Sequence, residues 1–411
     1  MHKGLPKEYQ KKFKEIFKKR NHWIGLVIYD TILTAFVLTR EEQTNRIHFS
    51  SLKCVTSKGI KKGRIVNSAK ASETMRHLLK SITEEIGIKD NRVLIGLDIP
   101  CLRITLKQWA DDSALKSPCS DTTYKRILHN IMRESTFDSQ HIIDLIPTRI
   151  SVDGRIVEDG PGGLTDQIAM ESNLISMSYE DKNDFENCLN KIHFRCESFF
   201  TGFSNLNSAF SFFSKENEYV LLLDIKYNSI DAILFYGDQP VSMKCFQLGL
   251  EEIIIKSISA VLSIGMNAVY KIFTQYCESG RDRDSIVFKT DSSISEIELK
   301  YWELHEMIMG QIKNFILMEN GIKDLIMNLQ RGLKANPCKL FITGEGSNIP
   351  DICELFEKRL NIRSEIRTWP SPNGAGNIPA TVYGMAKDIS IDAAGSSNFM
   401  MPEQKKLKTS L

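Results

Sequence analysis

The sequence predicts an α/β protein with a duplicated core and a small α+β module between its two halves. Three observations predict it. An apolar strand, a polar turn and a returning apolar strand open the chain at residues 23–38, and the same order recurs at 219–236. Each occurrence leads into a further strand and an amphipathic helix, the order of a repeated α/β unit. The intervening residues 101–167 follow neither pattern. With 411 residues the chain is about two to four times the usual domain length, which calls for at least two cores. Its 42% apolar and 25% charged residues exclude a collagen, a wholly disordered chain and a disulfide miniprotein.

In the first half, IGLVI and ILTAFVL flank Tyr29, Asp30 and Thr31, a hairpin pattern. A third strand follows at 47–55, then the Gly and Lys loop SKGIKKGRIVN, then a helix with Met75, Leu78, Leu79, Ile82 and Ile86 on one face. Residues 91–99 supply the next strand. In the module, the loop DDSALKSPCSD precedes a helix expected at 122–134, and the VDGR and GPGG turns bracket a short strand at 156–157. In the second half a strand at 219–225, a turn at 226–229, a returning strand at 230–236 and a turn at 237–240 precede another strand. A helix with Ile254, Ile258, Val261 and Leu262 on one face comes next. Near the end, a strand at 339–343, the turn GEGS and a helix striped by Ile349, Ile352, Leu355, Phe356 and Leu360 complete the half. The expected boundaries are a basic tail at 1–22, a first half at 23–100 plus 168–215, the module at 101–167, a second half at 216–395 and a polar tail at 396–411. Ligands of open α/β sheets bind beyond the carboxyl ends of strands, so two facing halves imply a cleft.

Charge narrows the partners. The chain carries 53 basic against 51 acidic side chains, so its surface is not a field for nucleic acid. Residues 1–20 nevertheless hold eight basic side chains against Glu8 and Glu15, a net of +6, which leaves the rest of the chain at −4. In that tail Leu5, Tyr9, Phe13, Ile16 and Phe17 form one apolar stripe among Lys7, Lys11, Lys12, Lys14, Lys18 and Lys19. A basic amphipathic helix on anionic lipid shows this pattern, and a solvated extension is the competing reading. Nine cysteines without a CxxC pair, and no apolar opening segment, suit a reduced cytoplasm. No apolar run approaches the roughly 18 residues of a spanning helix, so membrane contact is expected to be peripheral.

Two constellations suit nucleotide chemistry. Asp224 lies where an apolar strand meets a polar turn, and Ser229 opens the returning strand. In a nucleotide site such an Asp holds a metal-bound water and such a hydroxyl meets a phosphate oxygen, whereas elsewhere the Asp merely caps its turn. Gly344, Glu345, Gly346 and Ser347 lie between a strand and a helix, where backbone N–H groups and a helix end converge on one point, or where the backbone simply needs glycine. Cys188, His193 and Cys196 read as helix packing beside Leu189, Ile192 and Phe199 rather than as metal ligands. No Walker loop, GxSxG elbow or HExxH is present.

The order of motifs resembles FtsA, the actin-like bacterial cell-division family that links the FtsZ ring to the inner membrane. The resemblance spans roughly residues 23–389. It rests on SSLKCVTSKGIKKGRIVN, on HIIDLIPTRISVDGRIVEDGPGG, on LFITGEGSNIPDI as an adenosine loop, and on NIPATVYGMAKDI as a closing segment. It implies an actin-like (ribonuclease H-like) duplicated core with an inserted FtsA-type subdomain. It also implies a site for ATP and Mg2+ built on Asp224, Ser229, Lys271 and the Gly344–Ser347 turn, with Asp224 facing the metal. The phosphate-wrapping positions hold Val27, Tyr29, Asp30 and Ile32, and Lys226 and Tyr227 stand where glycines are usual. These departures imply weak or absent nucleotide binding and negligible hydrolysis. The family's nucleoside-reaching Glu falls on Val269, one helix Arg near its FtsZ contact falls on Gln311, and SSNFMMPEQKKLKTSL makes a poor membrane helix.

The resulting expectation is an interaction protein. It would be an adaptor at the cytoplasmic face of the inner membrane at the division site, binding FtsZ, its own copies in filaments, anionic lipid and other division proteins, with no nucleic acid. Partner contact is expected on residues 294–320, around the helix of Trp302, Leu304, Ile308, Ile312 and Phe315. An active ATPase of the same superfamily and a pilus-type actin-like adaptor are the alternatives.

Overall fold

A computed structural model describes residues 20–29, 31–44, 46–111, 115–118, 130–131, 139–152, 155–156, 164–165, 168–210, 218–278, 282–289, 298–319, 321–333, 337–370 and 377–394. Its contacts group into two units. One lies within Met1–Phe213, Asp238–Met243 and Thr368–Leu411, the other within Ser214–Gly237 and Lys244–Arg367.

The first unit is built on a five-stranded sheet whose order runs Ile47–Thr56, Ile32–Arg40, His22–Ile28, Arg92–Leu97, Arg195–Thr201. The first three strands pair antiparallel, and the last two join His22–Ile28 in parallel. From Trp23 to Ile28 only Gly25 lacks a large side chain, and the whole run is buried, as expected of a strand covered on both faces. The helix Ser68–Ile86 covers the sheet with Met75, Leu78, Leu79 and Ile82. Asn67 caps its start by accepting from the Lys70 N–H, and Gly87 at φ 72° ends it.

The second five-stranded sheet repeats the order: Gln239–Phe246, Ile230–Tyr236, Tyr219–Ile225, Lys339–Thr343, Arg363–Ile366. Tyr219–Ile225 is again the centre, antiparallel to its hairpin partner and parallel to Lys339–Thr343. Two sheets with the same strand order and the same directions about their central strands in one chain are a duplicated fold.

Two boundaries and one buried face differ from the sequence expectation. The module's sheet is four-stranded, and Ile168–Ser178, expected in the first half, is one of its inner strands, hydrogen-bonded to both Arg103–Asp111 and Gln140–Val152. Its alternating polar residues hid it from a boundary drawn at Gln167. The helix Ala380–Ala394, expected in the second half, belongs to the first unit, where Val382, Met385, Ala386, Ile389 and Ala393 join Trp23, Val27, Phe36 and Leu94 in one core. Gly384 allows this close approach, since a Cβ there would fall 1.7 Å from the Asn205 carbonyl oxygen. Finally, Val261 is 67% exposed rather than part of a buried stripe. A π-helical turn at Glu251–Ile255 shifts the helical phase, so Ile254, Ile255 and Ile258 face inward and Val261 does not. The helix expected at 122–134 and both terminal tails lie largely outside the described residues. Among the described residues no single helix is long and apolar enough to cross a membrane.

Candidate functional site in the second unit

The site forms where the two central parallel strands of the second unit end. Register places Asp224 directly opposite Asp231 across the hairpin and beside Thr343 on the parallel neighbour. The turn between them closes tightly, the Lys226 N–H donating to the Ser229 carbonyl at 2.9 Å. The start of the next helix docks on the outside of this turn: the Leu250 and Glu251 N–H groups donate to the Lys226 and Tyr227 carbonyls at 3.0 and 2.8 Å. Gly249 makes that possible, because a Cβ there would sit 2.3 Å from the Tyr227 oxygen.

The Gly344–Ser347 turn packs on the same strand end. Gly344 has φ +80°, and a Cβ on it would lie 2.5 Å from both Asp224 Oδ1 and the Ile225 carbonyl oxygen. A Cβ on Gly346 would lie 2.4 Å from Ile225 Cγ2. Ser347 closes the turn on itself, its hydroxyl donating to the Gly344 carbonyl at 2.7 Å. The sequence-predicted Asp224, Ser229, Gly344, Glu345, Gly346 and Ser347 therefore do come together, at the strand ends that α/β sheets use for ligands. Lys271 is exposed on the helix Met266–Glu278 while its neighbours Val269, Ile272 and Phe273 are buried.

Two side chains of this candidate site, Asp231 and Tyr270, escaped sequence reasoning. Asp231 is 3% exposed and Asp224 4%, and their carboxylate oxygens approach within 4.8 Å. Like charges opposite each other on a ladder repel. The Lys226 ammonium answers both, ion-paired with Asp231 Oδ2 and 3.8 Å from Asp224 Oδ2. Tyr270 is the second: its ring packs edge-to-face on Tyr227 at 5.2 Å. Burial, reinforced by Glu251 and Glu345 among the neighbouring groups, pushes the Tyr227 hydroxyl up to about 12, and burial with Glu345 nearby does the same for Tyr270. Both phenols thus stay protonated around Glu345.

These residues do not fit Mg2+. A magnesium ion takes near-octahedral oxygen ligands at about 2.1 Å. Here the carboxylates that would supply them already hold an ammonium, and a divalent ion beside it would meet like charge. Asp224, expected to face the metal, faces Lys226 instead.

In the first unit, Val27 is fully buried in the core and the Tyr29 hydroxyl is hydrogen-bonded to Thr381 Oγ1 of the C-terminal helix. The Tyr29 N–H donates to the Ile32 carbonyl at 3.0 Å, while Asp30 lies outside the described residues. Leu5, Tyr9, Phe13, Ile16 and Phe17 lie outside them as well. On the helix Tyr301–Leu317, Leu304, Ile308, Ile312 and Phe315 are buried, whereas Trp302 is 38% exposed, and Leu317 and Met318 at its far end are 45% and 39% exposed.

The sequence matches no protein-family model and no curated protein. Solved structures do match. The PilM–PilN type IV pilus biogenesis complex aligns at 13% identity and TM-score 0.58, over 92% of this chain and 97% of that one. The ethanolamine utilization protein EutJ from Carboxydothermus hydrogenoformans aligns at 8% identity and TM-score 0.49, over 92% and 90%. MreB5 of Spiroplasma citri bound to ADP aligns at 10% identity and TM-score 0.49, over 92% and 100%. With its doubled five-stranded sheet and the likeness to the PilM–PilN complex over 92% of its length, the chain has the actin-like ATPase fold.

Proposed function

We propose that the protein is an assembly adaptor of the actin-like class, organising protein partners rather than turning over nucleotide. One observation carries this reading. Tyr227, at the turn where close approach to a phosphate calls for glycine, packs on Tyr270 beside Glu345, so the chain's own side chains crowd the place a nucleotide would take. Catalysis of phosphoryl transfer is mostly positioning, and a site filled in this way positions nothing. ATP binding is accordingly weak or absent.

The motif resemblance favours FtsZ as partner, with filament formation through the actin-like units and attachment to the cytoplasmic face of the inner membrane by the basic tail. A pilus-type assembly is the second reading, favoured by the likeness to the PilM–PilN complex. Exposed Trp302, Leu317 and Met318 supply an apolar rim on the helix Tyr301–Leu317, large side chains of the kind that anchor interfaces.

The test is retention of FtsZ, or of a PilN-type partner, by the immobilised full chain, alongside phosphate release from ATP. Retention should fall with Trp302→Asp plus Leu317→Asp, and release should stay at background. Turnover that Asp224→Asn abolishes, in a variant that keeps its unfolding midpoint, would overturn the adaptor reading.

A further inference from the structure

We propose that Lys226 is a tethered cation standing in for the divalent metal, so that this site takes its ligands without metal, and that removing the ammonium turns Asp224 and Asp231 into a divalent-cation site. The inference concerns the cation chemistry of the site and does not depend on which partner the chain binds.

Register builds the trio. Asp224 and Asp231 are cross-strand partners, so their side chains share one face of the sheet, and Lys226, two residues beyond Asp224, returns to the same face. All three are nearly inaccessible, with side chains 5%, 4% and 12% exposed for Asp224, Asp231 and Lys226. A cation stabilises an ionised carboxylate pair so placed, and the chain supplies its own.

A second observation shows that the acidic pair is a larger donor set than the ammonium uses. Asp231 Oδ1 is buried and, among the described residues, has no hydrogen-bond partner. The separation also fits a metal once the ammonium is gone. Two oxygens bound to one calcium-sized ion at 2.3–2.6 Å stand at most about 5 Å apart, and those of Asp224 and Asp231 lie within 4.8 Å. Lys226 therefore decides between a metal-dependent and a metal-independent site. The ammonium cancels one of the two carboxylate charges, an internal balance that neither chelators nor magnesium concentration alters.

The experiment is a Mn2+ titration of the full chain followed by the electron paramagnetic resonance of free Mn2+. The wild-type chain should show no saturable site on this unit, and Lys226→Met should gain one that is at least about tenfold tighter than any wild-type binding. Asp231→Asn added to Lys226→Met should remove the gain, and Lys226→Arg, which keeps a cation, should behave as wild type. Equal Mn2+ affinity in wild type and Lys226→Met would overturn the proposal. So would the absence of a gain in a Lys226→Met protein whose circular dichroism shows it folded. If Lys226→Met fails to fold alone, recovery of its circular dichroism on adding Mn2+ supports the proposal, and no recovery overturns it.

Discussion

Replacing Lys226 by Met removes one charge and leaves two buried carboxylates facing each other. At an effective dielectric constant of about 20, unit charges within 4.8 Å repel by about 3.5 kcal/mol. The attraction lost between Lys226 and Asp224 at 3.8 Å is of the same gross size, about 4 kcal/mol. Desolvation of the ammonium, relieved in the variant, offsets part of this. Breaking one partner out of a buried ion pair typically costs about 3–5 kcal/mol net, a large share of the about 5–15 kcal/mol that holds a domain folded. Because the chain divides into two units, the local measurement is the informative one. Hydrogen exchange of peptides covering residues 219–236 should accelerate by about a hundredfold or more, since each 1.4 kcal/mol is a factor of ten. Asp231→Asn in the same background removes the repulsion and should restore most of the protection, a coupling that separates electrostatics from lost packing of the lysine stem. Exchange in Lys226→Met within about threefold of wild type would refute the reasoning, because the pair would then carry no net repulsion for the ammonium to relieve.

Two glycines in helices should respond oppositely to the same change. Gly384→Ala should destabilise the first unit by about 2 kcal/mol or more, because its Cβ would meet the Asn205 backbone oxygen and the two helices must part. Gly310→Ala, with nothing within 4 Å of a new Cβ, should stabilise by about 0.5–1 kcal/mol. Thermal unfolding of both variants checks the pair, and a shift of the same sign in each would sink the argument. For the basic tail, Phe13→Asp with Phe17→Asp should abolish sedimentation with anionic vesicles. At about 1 kcal/mol per basic residue near the surface, one copy binds weakly and filaments bind by avidity; equal sedimentation of the wild-type and variant chains would return the tail to a solvated extension.

The sheets were legible because strands buried on both faces read as unbroken apolar runs, and IGLVI and YVLLL are such runs. Their recurrence made the duplication legible too. The candidate site was half legible for the same reason. Asp224 and the Gly344–Ser347 turn stand out as polar residues where apolar strands end, whereas Asp231 sits inside the returning run IDAILFY and reads as an interruption. Yet a tight turn at residues 226–229 already pairs Ile225 with Ile230, and hence Asp224 with Asp231. The acidic pair was therefore implied by hairpin geometry, and carrying the register one step past the turn would have found it. What local pattern cannot supply is the choice a side chain makes among distant partners. Lys226 reads as a departure from glycine, and nothing nearby says that its ammonium folds back on its own strand pair rather than outward to a phosphate. The C-terminal helix poses the same problem over a longer span: its apolar residues announce burial, but the partner that accepts them, around Trp23 and Phe36, begins more than three hundred residues earlier. A glycine without a side chain, Gly384, is what lets it dock there. Local periodicity thus specifies the elements, while the docking of elements, and with it the occupant of the site, is written in single residues such as Lys226 and Gly384 whose meaning appears only when the strands are paired.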